Sequence, residues 1–596
     1  MHDEFSAIFR TYYSSFSELI EIGVKQNDSH PAGVQIFIFY WIKLFGLSEA
    51  SLKFPFILAG TSSVYVVYLI GKDWFGKSTA LFSALILAIV QFAIFHSQLA
   101  RPYSPALFFV LLSTYFWTKL VFSKQTNYWT VVAYILITSI ASYIHAFSLF
   151  FIFIQGLSGL FYLRGRKLWL YIISNLIVLL LYIPHFQVFL AQITRGDIGG
   201  WLGKPEVYFL MDFTKYVFHY STIFIIVFFT IVVGLPFLSL NKKEGANKFR
   251  VLSVIWFLVS YLTAHIYSVY RTPIIQYSTL LFVFPYLLLF LFSFIGVISY
   301  RIKYIVVVLL SVVGLYTLVF EREHYKIMYT QGFDGISTEI SNDIVSLSNK
   351  NKAIILHAPE HRMFDYYFDK YGLDKDYYKL YNDNSVGDIA TFLDQNNVET
   401  LIYGWADYSK LEFLQFFRHR FKYIVREKQF FNAEYYIFSN FPLGNKTLAN
   451  GETAIASISN KSGYLFSSEK PGYSKSIEIG LDTLALSKFD VINIKANIEY
   501  SESEVDALLV FEIKDKDGNS ESWSASIFKD YYLNEDSRSF DVFHSKRLLS
   551  IYPYSEGAIL KTYIWKRDNS LLKINKLEIY LSKLNPIEVG LYDDLN

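Results

Sequence analysis

Along the first half of the chain, long apolar runs alternate with short polar breaks; after about Phe320 the alternation stops. The apolar runs lie near Leu52–Ile70, Ser78–Phe95, Ser104–Phe122, Tyr128–Ile144, Phe147–Leu163, Leu168–Ile183, Ser221–Leu240, Val251–Tyr267, Ile275–Ser299 and Tyr304–Val319. Each approaches the ~20 residues that a hydrocarbon core of ~30 Å demands, which predicts membrane-spanning helices. Pro184, Pro236 and Pro285 fall at or inside span ends, where membrane helices tolerate proline.

From Glu321 to Asn440, strand-like runs (AIILHA, TLIYGW, FKYIV, EYYIFS) alternate with helical ones (RMFDYYFDKYGL, VGDIATFLDQNN, KLEFLQFFRHRF), which predicts a small α/β domain. From Phe441 onward, strand-like pieces such as DVINIKANIEY, ALLVFEIK, ESWSASIF, ILKTYIWKR and KINKLEIYL are joined by Gly, Asn, Asp and Ser turns, the pattern of a β-sandwich. The expected fold class is a multi-pass α-helical membrane protein. Residues 1–320 form its membrane domain, 321–440 an α/β domain and 441–596 a β-sandwich.

Composition narrows the function. The chain is 53% hydrophobic and 18% charged, with a formal net charge of +2. A nucleic-acid partner would need a concentrated basic face. There is no cysteine, so disulfides, thiolate metal sites and a cysteine nucleophile are excluded. No signal-peptide pattern precedes MHDEF.

Lysine and arginine fall in alternate breaks. One set holds Lys72 and Lys77; Lys124; Arg164, Arg166 and Lys167; Lys242, Lys243, Lys248 and Arg250; Arg301 and Lys303. The opposite short breaks carry only Arg101 and Arg271. The positive-inside rule puts the first set in the cytoplasm, and with it the soluble tail outside. Gly33–Leu47 is apolar but short and contains Lys43; it is expected to lie in the outer interface, with a short true span as the alternative.

On this topology Asp3, Glu4, Asp28, His30, His96, Gln98, Arg101, Tyr103, His145, Arg271, Gln276 and Tyr277 gather on one face of the bilayer. Each has a plainer role. Asp28 or Ser29 ahead of Pro31 makes a helix start, the two arginines reach headgroups, the histidines sit at the interface, and Asp3 and Glu4 fray. The opposite face offers only lysine-rich loops, and that asymmetry favours a site on the outer face.

Five pieces occur in order over Asp3–Tyr103: an Asp-Glu pair, DSHP entering an apolar helix, FGLSEASLKFP, GKDWFG, and SQLARPY. This ordered set resembles the GT-C class of polyprenyl-phosphate-dependent glycosyltransferases, the superfamily of protein O-mannosyltransferases and aminoarabinose transferases. The resemblance weakens after Arg166. It places a membrane span ahead of the Asp-Glu pair, and the sequence is expected to start downstream of it.

The resemblance implies a membrane glycosyltransferase at the outer leaflet of a bacterial plasma membrane. It would move a sugar from a polyprenyl-phosphate donor to a glycan, lipid or protein acceptor with inversion. Asp3 would be the base that deprotonates the acceptor hydroxyl, with Glu4 orienting or substituting. Arg101 and Arg271 would bind the donor phosphate. Asp28, His30, Gln98, Tyr103, Gln276 and Tyr277 would contact substrate.

No metal is required on this reading, although a divalent ion at Asp3 or Glu4 stays open. Asp515-Lys-Asp-Gly-Asn resembles the front of a calcium loop, but its twelfth position is Ser526, so a hairpin turn is expected. The rival reading is a transporter or lipid flippase with an outer glycan-binding tail. No internal repeat supports it.

Overall fold

The architecture comes from a computed structural model. It describes residues 2–195, 202–239, 245–329, 332–344, 351–407, 410–443, 446–449, 454–459, 466–468, 470–500, 505–531, 539–552 and 554–583; the side chains of residues 2, 3, 195, 466–468 and 550 are outside that description. The chain divides into two compact units, Met1–Tyr325 and Lys326–Asn596.

The first unit is helical. Its helices are α1 (His2–Phe9), α2 (Phe16–Glu18), α3 (Gly33–Phe45), α4 (Glu49–Trp74), α5 (Lys77–Ile89), α6 (Gln91–Ser97), α7 (Tyr103–Phe122), α8 (Tyr128–Ile144), α9 (Ala146–Leu160), α10 (Gly165–Arg195), α11 (Phe209–Val217), α12 (Thr222–Gly234), α13 (Asn247–Tyr270), α14 (Phe284–Phe292) and α15 (Tyr300–Tyr316).

Among the described residues five helices are long and apolar enough to cross a membrane: α4, α7, α10, α13, and α15 with its extension to Glu321. Counting the bent pairs α5–α6 and Phe209–Val217 with Thr222–Leu238 raises this to seven. The protein is therefore a multi-pass helical membrane protein. Helix α3 has 13 residues. At ~1.5 Å per residue it is ~20 Å long, shorter than a bilayer core.

Not every expected span is a single helix. Ser78–Phe95 divides at Val90 into α5 and α6, bent by 62°. Within Ile275–Ser299 the chain makes a 3₁₀ turn (Tyr277–Phe282) and then only the nine residues of α14. Pro285 stands at the start of α14, where it lacks an N–H and biases its predecessor away from helix. The segment is apolar because it is central: Leu281, Tyr286, Leu288, Leu289 and Phe292 have no exposed surface.

Aromatic side chains fill the middle of this unit. Trp74, Trp117, Trp256 and Tyr286 are buried, and Trp256 is in ring contact with each of the other three. Each indole N–H finds an oxygen: Trp74 donates to Thr118, Trp117 to Tyr171 and Trp256 to Ser158, at 2.9–3.1 Å. A buried indole needs such a partner, so a few hydroxyls stand inside otherwise apolar helices.

In the second unit, β1 (Lys352–His357), β2 (Tyr378–Leu380), β3 (Thr400–Ala406), β4 (Tyr423–Phe430), β5 (Ala433–Ser439) and β6 (Thr447–Leu448) form one sheet in the order β2-β1-β3-β5-β4-β6. β1 is parallel to β2 and β3; the other pairs are antiparallel. Helices Arg362–Tyr371 and Val386–Gln395 supply the parallel crossovers.

The remaining strands are β7 (Ala456–Ser459), β8 (Phe466–Ser468), β9 (Gly472–Tyr473), β10 (Ile477–Gly480), β11 (Asp490–Tyr500), β12 (Ala507–Lys514), β13 (Ser520–Ile527), β14 (Ser539–Arg547), β15 (Ile559–Lys566) and β16 (Leu572–Lys583). They make two five-stranded antiparallel sheets, β10-β15-β12-β13 with β9 on β15, and β14-β11-β16-β7 with β8 on β16. Alternate residues such as Leu509, Phe511 and Ile513 face Ile492, Ile494 and Ile579 in a core that continues into the α/β sheet through Phe413, Phe417 and Tyr403. The DKDGN stretch is the β12–β13 turn, with the Asp515 carboxylate accepting from the Asp517 and Asn519 N–H groups.

Candidate functional site

The site is built on two turns. The first is Asn27–Ala32, which enters α3. Asp28 is buried and accepts from the His30 backbone N–H and Nδ1, both at 3.1 Å, and from Gln35 Nε2 at 2.9 Å; Arg10 Nη1 stands 3.5 Å away. Helix α10 braces the turn. Gln192 Nε2 donates to the Asp28 and His30 carbonyls at 3.2 and 2.7 Å, and His185 Nε2 accepts from the Ala32 N–H at 2.9 Å. Helix α3 has no side-chain cap of its own, so His185 performs that service from 153 positions away.

The second turn, Gln98–Pro102, joins α6 to α7. Glu4 of α1 is buried against it: Oε1 accepts from the Ala100 N–H at 3.0 Å, while Oε2 lies 3.5 Å from Lys53 Nζ. This bond fixes the residue next to Arg101.

Arg101 is 7% exposed. Its Nη2 is 3.5 Å from His30 Nδ1, and its Nε and Nη1 have no hydrogen-bond partner. One ring nitrogen cannot donate to Asp28 and accept from Arg101 at the same time. The shorter Asp28 contact takes the proton. The guanidinium is left as a buried cation with uncommitted donors, an arrangement that proteins seldom keep without a ligand to meet it.

Aromatic rings close the space around it. His30 lies 5.2 Å from His145 and 6.3 Å from Tyr103 between centroids, and Tyr103 lies 4.7 Å from His96. Burial pushes the Asp28 carboxyl up, but the His30 hydrogen bond and the charges of Arg10 and Arg101 outweigh it and hold Asp28 well below the usual carboxylate range. Burial and the Arg101 charge push His30 down, against the pull of Asp28. At neutral pH the site therefore holds an anionic Asp28, a neutral His30 and the Arg10 and Arg101 cations.

An apolar groove of about 730 Å³ opens beside these turns, between α3, α4, α7 and α8. Val34, Phe37, Leu58, Phe108 and Ile140 line it, and Gly33, Pro105 and Ile144 bring it within a few residues of His30, Tyr103 and His145. Gly33 permits the close approach of α3 to α8: a Cβ there would stand 2.5 Å from the Tyr143 carbonyl oxygen.

The structure thus brings together Glu4, Asp28, His30, Arg101 and Tyr103 of the residues expected from sequence. Asp3 lies on α1, and its side chain is outside the described residues. Gln98 Oε1 accepts from His324 Nε2 at 3.3 Å. Tyr277 stacks on Tyr216 at 5.0 Å, and Tyr216 touches Phe92, which touches His96, so these rings lead back to Tyr103. Gln276 holds the Ser278 hydroxyl at 3.3 Å. Arg271 is exposed at the C-terminal end of α13, where its backbone N–H caps the helix on the Tyr267 carbonyl. Arg10, Gln35, His185 and Gln192 were missed by sequence reasoning. Only Gln35, seven positions from Asp28 on the same entry to α3, carried a local signal. Among the described residues no cluster of three or more His, Asp or Glu is arranged to hold a metal ion.

Residues 29–187 match the dolichyl-phosphate-mannose-protein mannosyltransferase family. The matched segment carries His30, Arg101, Tyr103, His145 and the whole groove, and the family agrees with the GT-C glycosyltransferase likeness carried by the motifs. An uncharacterized protein of Aquifex aeolicus (strain VF5) is 36% identical over 92 residues, 14% of this chain; the match spans only 18% of that relative's length. Among solved structures, ArnT from Cupriavidus metallidurans in the apo state is similar at 12% identity over 74% of this chain and 93% of that chain, with a TM-score of 0.41. The same protein bound to undecaprenyl phosphate is similar at 11% identity over 69% and 88%, with a TM-score of 0.40. The CBM22-1 xylan-binding domain of Paenibacillus barcinonensis Xyn10C is similar at 13% identity over 22% of this chain and 97% of that domain, with a TM-score of 0.15. At these scores the structural likenesses carry no function across to this chain.

Proposed function

We propose that the protein transfers a sugar from a polyprenyl-phosphate donor to an acceptor hydroxyl, on the outer face of a bacterial plasma membrane. One observation carries this reading: a buried arginine with unmet donors stands beside an apolar groove. A prenyl-phosphate sugar has the matching anatomy, an anion joined to a long hydrocarbon. The phosphate would take the free Arg101 N–H groups, and the head-proximal isoprenes would lie along Phe37, Leu58, Phe108 and Ile140. The family match over residues 29–187 supports the same donor class.

In the proposed reaction the acceptor oxygen attacks the anomeric carbon as the bond to the phosphate oxygen breaks. Configuration inverts, and the acceptor proton passes to a carboxylate, Asp3 by preference. Glu4 is committed to the Ala100 N–H and Lys53, which suits an orienting role. Arg101 would stabilise the charge that grows on the departing phosphate. Gln98, Arg271, Gln276 and Tyr277 remain proposed contacts to sugar or phosphate. The outer-face assignment rests on the distribution of lysine and arginine between loops.

The test is transfer of radiolabel from a panel of polyprenyl-phosphate sugars by the full chain in nanodiscs. Activity that disappears in Asp3→Asn and in Arg101→Ala supports the assignment. Transfer at wild-type rates in both variants overturns it.

A further inference from the structure

A second binding surface lies on the outer face of the sheet β10-β15-β12-β13, away from the core that Leu509, Phe511 and Ile513 enter. The alternate residues define it. Leu508 stands opposite Trp565, Val510 opposite Tyr563, and Glu512 between Lys561 and Trp523. Tyr473 of β9 pairs with Trp565, and the two rings stack at 5.8 Å and 27°. Tyr473 also meets Tyr563 at 5.7 Å. Four aromatic side chains thus share one sheet face, and the outer two are bare: Tyr473 is 63% exposed and Trp523 is 49% exposed.

Aromatic rings are costly to leave in water, and the core has no use for these. The polar groups among them indicate the kind of ligand. Tyr563 donates to Glu512 Oε2 at 3.4 Å, Lys561 pairs with Glu478 at 2.8 Å, and Lys514 lies 3.8 Å from Glu512. Acids and lysines balance one another, and Arg567, whose guanidinium carbon lies 5.9 Å from the Trp565 ring centre, is paired with Asp506, so the face has no unpaired charge to offer a phosphate, a nucleic acid or an anionic lipid surface. What it offers is flat π-surface interleaved with hydrogen-bonding groups.

A neutral sugar chain is complementary to that surface. The C–H face of a pyranose is apolar and stacks on a ring, while its hydroxyls, displayed at the rim, meet carboxylates, ammonium groups and phenols. Tyr and Trp give such contact at little conformational cost. We infer that Tyr473, Trp523, Tyr563 and Trp565, with Glu512 and Lys561, form a binding platform for a neutral oligosaccharide. It belongs to the second unit, shares no residue with the Arg101 site, and stands or falls independently of the transfer reaction.

The test uses the full chain in nanodiscs without glycoside detergents, which would compete. Cellohexaose, xylohexaose and mannohexaose are titrated by calorimetry and followed by saturation-transfer NMR. The expected result is binding of at least one hexasaccharide, with saturation concentrated on the C–H protons of one ring face. Tyr473→Ala and Trp523→Ala, both at exposed positions, should each weaken it by about tenfold, equivalent to ~1.4 kcal/mol. Absence of binding by all three sugars at millimolar concentrations, or an affinity unchanged in both variants, overturns the proposal.

Discussion

Replacing Arg101 by Met separates a ligand-binding arginine from a structural one. The guanidinium is 7% exposed, with Nε and Nη1 unpartnered and Nη2 3.5 Å from His30. A buried polar group without a partner costs ~1–3 kcal/mol. Against that stands its attraction to Asp28, but Asp28 retains His30, Gln35 and Arg10 when Arg101 is gone. The ligand-free variant is therefore expected to be as stable as the parent, or ~1–2 kcal/mol more stable. Binding moves the opposite way. Two charge-assisted bonds to a phosphate, at ~1.5–3 kcal/mol each, amount to ~3–6 kcal/mol, a loss of about 10²–10⁴ in affinity. Arg101→Lys should fall between, because an ammonium lacks the planar fork. The assay is thermal unfolding of the full chain in nanodiscs with and without decaprenyl phosphate. The ligand should raise the parent's midpoint and leave that of Arg101→Met unmoved. A variant that loses several degrees without ligand yet keeps the full upward shift would make Arg101 a structural strut and refute the reasoning.

Three further outcomes follow from the same contacts. Gly33→Ala should drive α3 off α8, since the new Cβ meets the Tyr143 carbonyl at 2.5 Å; a cost of ~1–3 kcal/mol in stability and a drop of about 10² in transfer are expected, whereas Gly203→Ala, with nothing within 4 Å, should change neither. Gln192→Leu should raise the donor KM about tenfold with kcat little changed, because it frees the Asp28 and His30 carbonyls and loosens the turn without touching the reacting atoms; an unchanged KM would show that α10 does not position the turn. Burial pushes His357 down to about 3 and His544 to about 4. Both states are neutral above the unfolded value of ~6.5, and below it only the unfolded chain takes the protons, so the second unit loses stability as pH falls, by ~2 kcal/mol per histidine at pH ~5. Pulse proteolysis in urea at neutral and acid pH reads this directly: His544→Gln should flatten the slope, and a urea midpoint that does not move with pH would refute the assignment.

Much of the fold was legible because the pattern and the packing agree. Helix α8 occupies Tyr128–Ile144, β11 is DVINIKANIEY and β12 is ALLVFEIK, the segments that hydrophobic period and turn residues mark out. Ile275–Ser299 misled because an unbroken apolar run reports burial and not shape. Its residues are in the middle of the helices, where Pro285 can interrupt a helix at no cost in lipid exposure. In the site, His30, Arg101 and Tyr103 could be read from their turns. The partners that hold those turns could not. His185 and Gln192 act across more than 150 positions, and a lone polar residue in an apolar helix gives no sign of its target. The groove was equally invisible, since it exists only where four helices fail to close on one another.

The central claim is that one pocket holds a phosphate at Arg101 and its hydrocarbon between α3, α4, α7 and α8. A polyprenyl phosphate bearing a diazirine near its head group tests it most directly, with labelled peptides mapped by mass spectrometry after illumination of the full chain in nanodiscs. The account predicts adducts around Phe37, Leu58, Phe108 and Ile140 that are displaced by unlabelled decaprenyl phosphate and lost in Arg101→Met. Adducts confined to other helices, or undiminished in that variant, would contradict it.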